Sequence, residues 1–506
     1  MTGTIDSDRV RPPTLGLEPA SSRRPLRLPE LTLSPALWLL LAAALPLPAV
    51  VAGVLVARYD VLTVPFLAVV GLLLATSAVL LFARYFWICL LLVLVARPAL
   101  DYFKDGYQSS VTDPSVLVGI LFTSAASWWL YRRMRTVGLQ CSLACSAFIG
   151  LGVVAVISSL TAAHPVDSVQ ASVRLLSSVV MLACLEQLLR ERPERIQPLL
   201  VAVFASLIIP ALVAVTQFSN PPEVPTYGPA VEVGRVQGTF FHPNAFATYL
   251  TTLIPLALAL LPYVKGLQRW AVLAVAGSSA LFLLFTYARG AWVAAFLAIV
   301  VVGWLQDRRI IALAVLAILL VVLFVPSVVT RLSDLTAEQG PIAYDTNSLT
   351  WRTSYWGHLV PMTLEGPVTG IGLGMVEQRT VQGVPPHNVF VQALVETGVA
   401  GLLSLLVVIA AIGHSIAQRL RRVTGGIERG ITVGSAAVAV GFLVQCFSEN
   451  LFNQVISHWY FLVPVALATS QARPALVTAR ARARAGSERD GSGPSADGRA
   501  RLVPAP

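Results

Sequence analysis

Apolar positions run together along most of this chain, unbroken for about the 20 helical residues that a bilayer requires. Short polar connections separate the runs. They predict about 14 membrane helices, over 36–57, 61–83, 85–97, 114–131, 138–161, 168–189, 197–217, 244–264, 270–287, 290–306, 309–328, 388–413, 430–447 and 456–471. The runs are continuous rather than alternating, which excludes a membrane β-barrel. The expected fold is an all-α polytopic membrane protein. Residues 1–35 form a polar, proline-rich cytoplasmic tail, too long and arginine-rich for the start of a signal peptide. Residues 36–328 are a transmembrane bundle, 329–387 one large outer loop, 388–471 the C-terminal membrane helices, and 472–506 a second flexible cytoplasmic tail.

Composition agrees with lipid as the main solvent. Of 506 residues, 56% are hydrophobic and 12% charged, and mean hydropathy is +0.73. A disordered chain is excluded and a water-soluble enzyme disfavoured. The net charge of +10 does not point to nucleic acid. The basic residues cluster between apolar runs, at Arg132, Arg133 and Arg135, at Arg190, Arg192 and Arg195, at Arg308 and Arg309, and at Arg419, Arg421 and Arg422. With both termini in the cytoplasm, these clusters fall inside, as topology determinants do. The five cysteines lie in or beside apolar runs and read as small packing residues, with no zinc-site spacing.

Where charge is scarce, its positions matter. Four segments fall on the outer side. Gly234-Arg235-Val236-Gln237-Gly238-Thr239-Phe240-Phe241-His242-Pro243-Asn244 leads into a helix that Asn244 can cap, and a guanidinium beside free helix N–H groups suits phosphate. Arg289, in Tyr287-Ala288-Arg289-Gly290-Ala291-Trp292, joins two runs with almost no loop. It either snorkels or holds an anion. Arg352 precedes Trp356 and the run Gly370-Ile371-Gly372-Leu373-Gly374, which has no dinucleotide-binding context. Pro385-Pro386-His387-Asn388 sets a histidine at a helix mouth capped by Asn388, with Gln392 and Glu396 further along. Histidine is suited to proton transfer near neutral pH, and Glu396 can orient a partner or bond a neighbouring helix. Each residue alone has a bland reading as an anchor, a cap or a structural polar group. Together, several arginines and one base suggest a diphosphate substrate and a hydroxyl to be deprotonated. Arg174 lies just inside the sixth run and can assist, while Glu449 and His458 in the last outer turn either line the same cavity or face water. Asp101 and Asp105 read as a solvated loop rather than a cation site.

These motifs, in this order over about 230–410, resemble the O-antigen ligase and polymerase superfamily: Arg235 through Asn244, Ala288-Arg289-Gly290-x-Trp292, Arg352 with Trp356, the glycine run, and His387-Asn388 with Glu396, Gly398 and Gly401. The resemblance implies a C-type, polyprenyl-linked glycosyltransferase in the bacterial inner membrane. Such an enzyme moves a glycan from an undecaprenyl-diphosphate carrier to an acceptor hydroxyl on a lipid or glycan at the outer face, by inversion and with no metal or other cofactor. By that resemblance His387 is the general base, and Arg235, Arg289 and, as a weaker match, Arg352 hold the diphosphate, with Arg174 placed by its position to assist. His242, Asn244, Asn388 and Glu396 support them. Members with about 12 helices differ from the 14 counted here. An exopolysaccharide or O-antigen polymerase, or a polysaccharide or lipid transporter, are the alternatives. A transporter would favour inverted repeats and ionisable groups near mid-membrane, which the sequence does not show.

Overall fold

A computed structural model of the chain describes residues 64–104, 113–222, 234–333 and 348–470. Both expected tails, the expected helix at 36–57, Asp105 and parts of the two long connections lie outside the described residues. Residues 1–77 and 78–506 form two compact units.

Every apolar run on the described residues forms helix. The chain order is α1 (Val64–Leu100), α2 (Pro114–Thr136), α3 (Leu143–Ser159), α4 (Pro165–Glu191), α5 (Ile196–Ala205), α6 (Ile208–Thr216), α7 (Pro243–Leu260), α8 (Gly266–Phe285), α9 (Arg289–Leu305), α10 (Arg309–Phe324), α11 (Pro326–Ser333), α12 (Ser348–Leu359), α13 (Met375–Arg379), α14 (Val389–Arg422), α15 (Gly426–Gln445) and α16 (Val455–Thr469). No strand occurs among the described residues.

The expected count of about fourteen spans meets a smaller number. Among the described residues eight helices are long and apolar enough to cross a membrane, or nine if one bent pair counts as a span. Three differences have physical causes. A kink at Tyr85 divides α1 where the two expected runs meet, and only the part after it, as Arg84–Phe103, counts among the eight. Those forming α3, α9 and α16 fold into shorter apolar helices. The run at 309–328 turns by 92° between α10 and α11, where Pro326 removes a backbone donor and forces the preceding residue out of the helical region.

Helix α7 is the centre. Nearly all of its side chains are buried, and it packs against α8, α9, α15 and α16. Close approach depends on small residues: a Cβ on Gly434 would stand 2.9 Å from Leu256, and one on Gly441 3.3 Å from Ala298. Lipid gives helices little hydrophobic reason to associate, so such contacts carry the packing. By contrast α10 has no buried residue.

The expected outer loop at 329–387 is partly helical. Helix α12 braces the segment before α14: Tyr355 donates to the Val384 carbonyl at 2.7 Å and Trp356 Nε1 to that of Pro386 at 2.6 Å. The glycine run lies against α14, where Gly398 (φ 68°) interrupts the helix. Ile371 and Gly372 donate to the carbonyls of Val395 and Glu396 at 3.1 and 3.0 Å. A Cβ on Gly370 would stand 2.3 Å from the Glu396 backbone. The glycines therefore let two backbones touch.

Candidate functional site

Three helices, α7, α9 and α14, begin at the same end of the bundle, each just after one of the singled-out segments. What ties them together is the turn that follows α15. Cys446 accepts from the Val389 N–H at 2.8 Å. Ser448 lies against Gly290, whose added Cβ would come within 2.5 Å of its hydroxyl. Glu449 Oε1 accepts from Asn244 Nδ2 at 2.9 Å. Asn450 accepts through Oδ1 from the His387 N–H and places Nδ2 3.0 Å from His387 Nδ1. Helix N-termini carry partial positive charge and free N–H groups, so this end favours anions.

Arg235 is buried. Its Nε donates to the Thr286 carbonyl and its second amino group to Asn244 Oδ1, both at 2.7 Å. A bonded chain thus runs from Arg235 through Asn244 and Glu449, and along the backbone to Asn450 and His387. His242 caps α7, its Nδ1 accepting from the Asn244 N–H at 3.1 Å. Burial, and then Arg235, push His242 down to about 3. Asn388 caps α14 by accepting from the N–H groups of Phe390 and Val391 at 2.9 and 3.1 Å.

His387 sits at φ 53°, a left-handed conformation costly for a residue with a Cβ. The bonds from Asn450 and the α12 brace hold it there, with Trp351 edge-on to its ring at 6.1 Å. Burial, then Arg352, then His242 push its imidazole down to about 3, so the ring is neutral at physiological pH. Asn450 also selects the tautomer. Its Oδ1 is taken by a backbone donor, so its Nδ2 donates to Nδ1. The lone pair lies on Nδ1 and the proton on Nε2.

Arg352 is half-buried on α12 and makes no hydrogen bond or ion pair among the described residues. It stands close enough to His387 and Glu449 to affect both. Burial pushes the Glu449 carboxyl up to about 7, against the pull of Arg352, Arg235 and Asn244.

The other sequence candidates lie elsewhere. The Arg289 backbone adjoins Ser448, but its guanidinium donates to the Arg331 carbonyl on α11 at 3.1 Å. Arg235 and Arg289 flank one turn, whose Tyr287 also has positive φ. Arg174 pairs electrostatically with Glu377, not with the His387 group. Glu396 accepts from the Val376 N–H and from Gln392, both at 3.0 Å, clamping α13 to α14. His458 is buried beside Ser178 at 3.2 Å. Asp101 pairs with Arg97 at 2.7 Å. Sequence reasoning noted Glu449 only as a possible wall and missed Ser448 and Asn450; a carboxylate in an apolar stretch was the available signal.

Residues 273–406 match the family model described as O-antigen ligase. No curated protein matches the chain. The matched segment contains Arg289, Arg352, His387 and Glu396, whereas Arg235 and the turn after α15 lie outside it.

Proposed function

We propose, from the match of residues 273–406 to the O-antigen ligase family model and from the eight helices able to cross a membrane, that the chain transfers a glycan from an undecaprenyl-diphosphate carrier to an acceptor hydroxyl at the outer face of the bacterial inner membrane. The observation that carries this reading is the unpartnered guanidinium of Arg352 beside a neutral His387, where three helix N-termini meet. The acceptor oxygen attacks the anomeric carbon and gives its proton to His387, taking the place of the Asn450 amide at Nδ1. The bond from that carbon to the diphosphate oxygen breaks, and its electron pair leaves with the diphosphate. Arg352, with Arg235 and the helix N-termini, stabilises the charge gathered there; a diphosphate needs no separate general acid. Arg289 and Arg174 contribute from the rim after rearrangement of Arg331 and Glu377. Ligase and polymerase share this chemistry and differ in the acceptor.

The test measures transfer and donor binding in one membrane preparation. For His387→Ala the expected outcome is normal insertion, retained donor binding and a loss of transfer of about 10²–10⁴-fold. For Arg352→Ala donor affinity falls about 10–100-fold, the scale of a lost charge-assisted hydrogen bond. Full transfer by the inserted His387→Ala variant removes the base; unchanged donor affinity in the arginine variant removes the diphosphate site.

A further inference from the structure

The segment from Gly234 to His242 has two sides. Arg235 and His242 face the His387 group. Gln237 and Phe241 line a separate cavity of about 470 Å³ between this segment, the end of α1 and the end of α6. That volume is within the usual range of small-molecule sites. The wall between the two spaces is pinned. Gln217 accepts from the N–H groups of Gln237 and Gly238 at 2.9 and 2.8 Å and donates to the Gly238 carbonyl at 2.8 Å. Thr239 donates to the Pro98 carbonyl at 2.7 Å.

The lining differs in kind from the diphosphate site. It mixes carboxamides and hydroxyls with aromatic rings: Asn220, Gln237, Tyr102 and Phe241, with Asp101 and Lys104. Lys104 stands 5.7 Å over the Phe241 ring and is the one cation among the residues lining the cavity; the Asp101 carboxylate is paired with Arg97 at 2.7 Å. Gln237 Oε1 is buried and has no partner, a costly state for an acceptor unless a ligand or water supplies a donor. Rings for apolar CH faces and amides for hydroxyls are what a pyranose requires.

We propose that this cavity is a saccharide subsite, holding a sugar ring of one of the two glycan substrates while the diphosphate is gripped across the wall. The assignment rests on the transfer reaction proposed above. A sugar there lies on the far side of a nine-residue segment from Arg235, which makes this segment a specificity determinant as well as an anion site.

The test uses the full chain in native membranes carrying a photo-reactive benzoylphenylalanine in place of Tyr102, or of Trp351 beside His387. The expected result is a saccharide adduct at position 102, at least tenfold weaker when Gln237→Leu and Lys104→Ala are added, with membrane insertion unchanged by immunoblot. An adduct that also carries polyprenyl diphosphate identifies the donor as the source; a saccharide without it identifies the acceptor. Capture of lipid-linked glycan at position 351 with none at 102 overturns the subsite and leaves the transfer reaction standing. No glycan at either position, together with no transfer activity, overturns both.

Discussion

Two fully or nearly buried carboxylates sit at opposite ends of the same helices, in contrasting company. Glu186, near the end of α4, accepts from the Ser142 N–H at 3.0 Å and from its hydroxyl, from Thr469 Oγ1 at 2.6 Å and from Arg190 at 3.3 Å. Those partners belong to the start of α3 and the end of α16, so the carboxylate laces three helices together. Among the described residues Glu449, at the His387 end, has one side-chain hydrogen bond, to Asn244, and the nearby Arg352 has none. A buried charge is tolerable when its partners are complete. A saturated cluster therefore reads as architecture, and an under-filled one as a place held for a ligand.

The contrast can be broken at either end. The largest effect is expected from Glu186→Ala, which strands the donors of Ser142 and Thr469. It should cost about 1–3 kcal/mol of stability, seen as a lower unfolding temperature in detergent, while the folded fraction binds donor normally. An unchanged unfolding temperature would show that saturation does not mean structure. Next is Asn450→Asp. A carboxylate at Nδ1 demands a proton there and lifts His387 from about 3 towards neutrality. Activity should then fall as pH drops through the new value, by about tenfold between roughly pH 8 and 6. The unmodified protein should show no such loss from His387 in that window. A profile without this acid limb would detach Asn450 from the imidazole. The smallest effect concerns Glu449. Above about 7 its carboxylate is ionised and competes with diphosphate for Arg352 and Arg235. Donor affinity should therefore rise a few-fold as pH falls through 7, and Glu449→Gln should hold the higher affinity at all pH values. A donor affinity equally pH-dependent in that variant would locate the titrating group elsewhere.

Much of this was legible in the sequence, for reasons that can be named. Apolar runs found the helices because lipid leaves the backbone few alternatives. The helix start at Val389 followed from its cap, Asn388, and the preceding prolines; at Pro243 the sequence pointed to Asn244 as the cap, whereas His242 holds that position and accepts from the Asn244 N–H. The basic clusters at Arg132, Arg190, Arg308 and Arg419 lie at the end opposite His387, as their alternation required. Breaks inside a run were harder to see. The run expected over 309–328 breaks at Pro326, whereas the single span expected over 197–217 persists as Pro193–Thr216, with a turn between α5 and α6 where Ser206 bonds both Val203 and Tyr249. The turn after α15 was hidden for another reason. Ser448, Glu449 and Asn450 are unremarkable as a local string, and their meaning comes from contacts with residues 63 to 205 positions away. On paper Arg289 was the stronger anion candidate and Arg352 the weaker; that Arg289 bonds the Arg331 carbonyl is something no local pattern shows.

That turn also fixes when the His387 ring becomes oriented during synthesis. Synthesis produces Arg235, Arg289 and His387 well before Glu449 and Asn450, and nothing else among the described contacts orients the imidazole through its ring nitrogen. A nascent chain halted after Gln445 would own its guanidinium groups and its base yet lack their latch. On the transfer reaction proposed above, orientation of the base thus awaits the turn after α15 and helix α16, the last segment of the described bundle to be made.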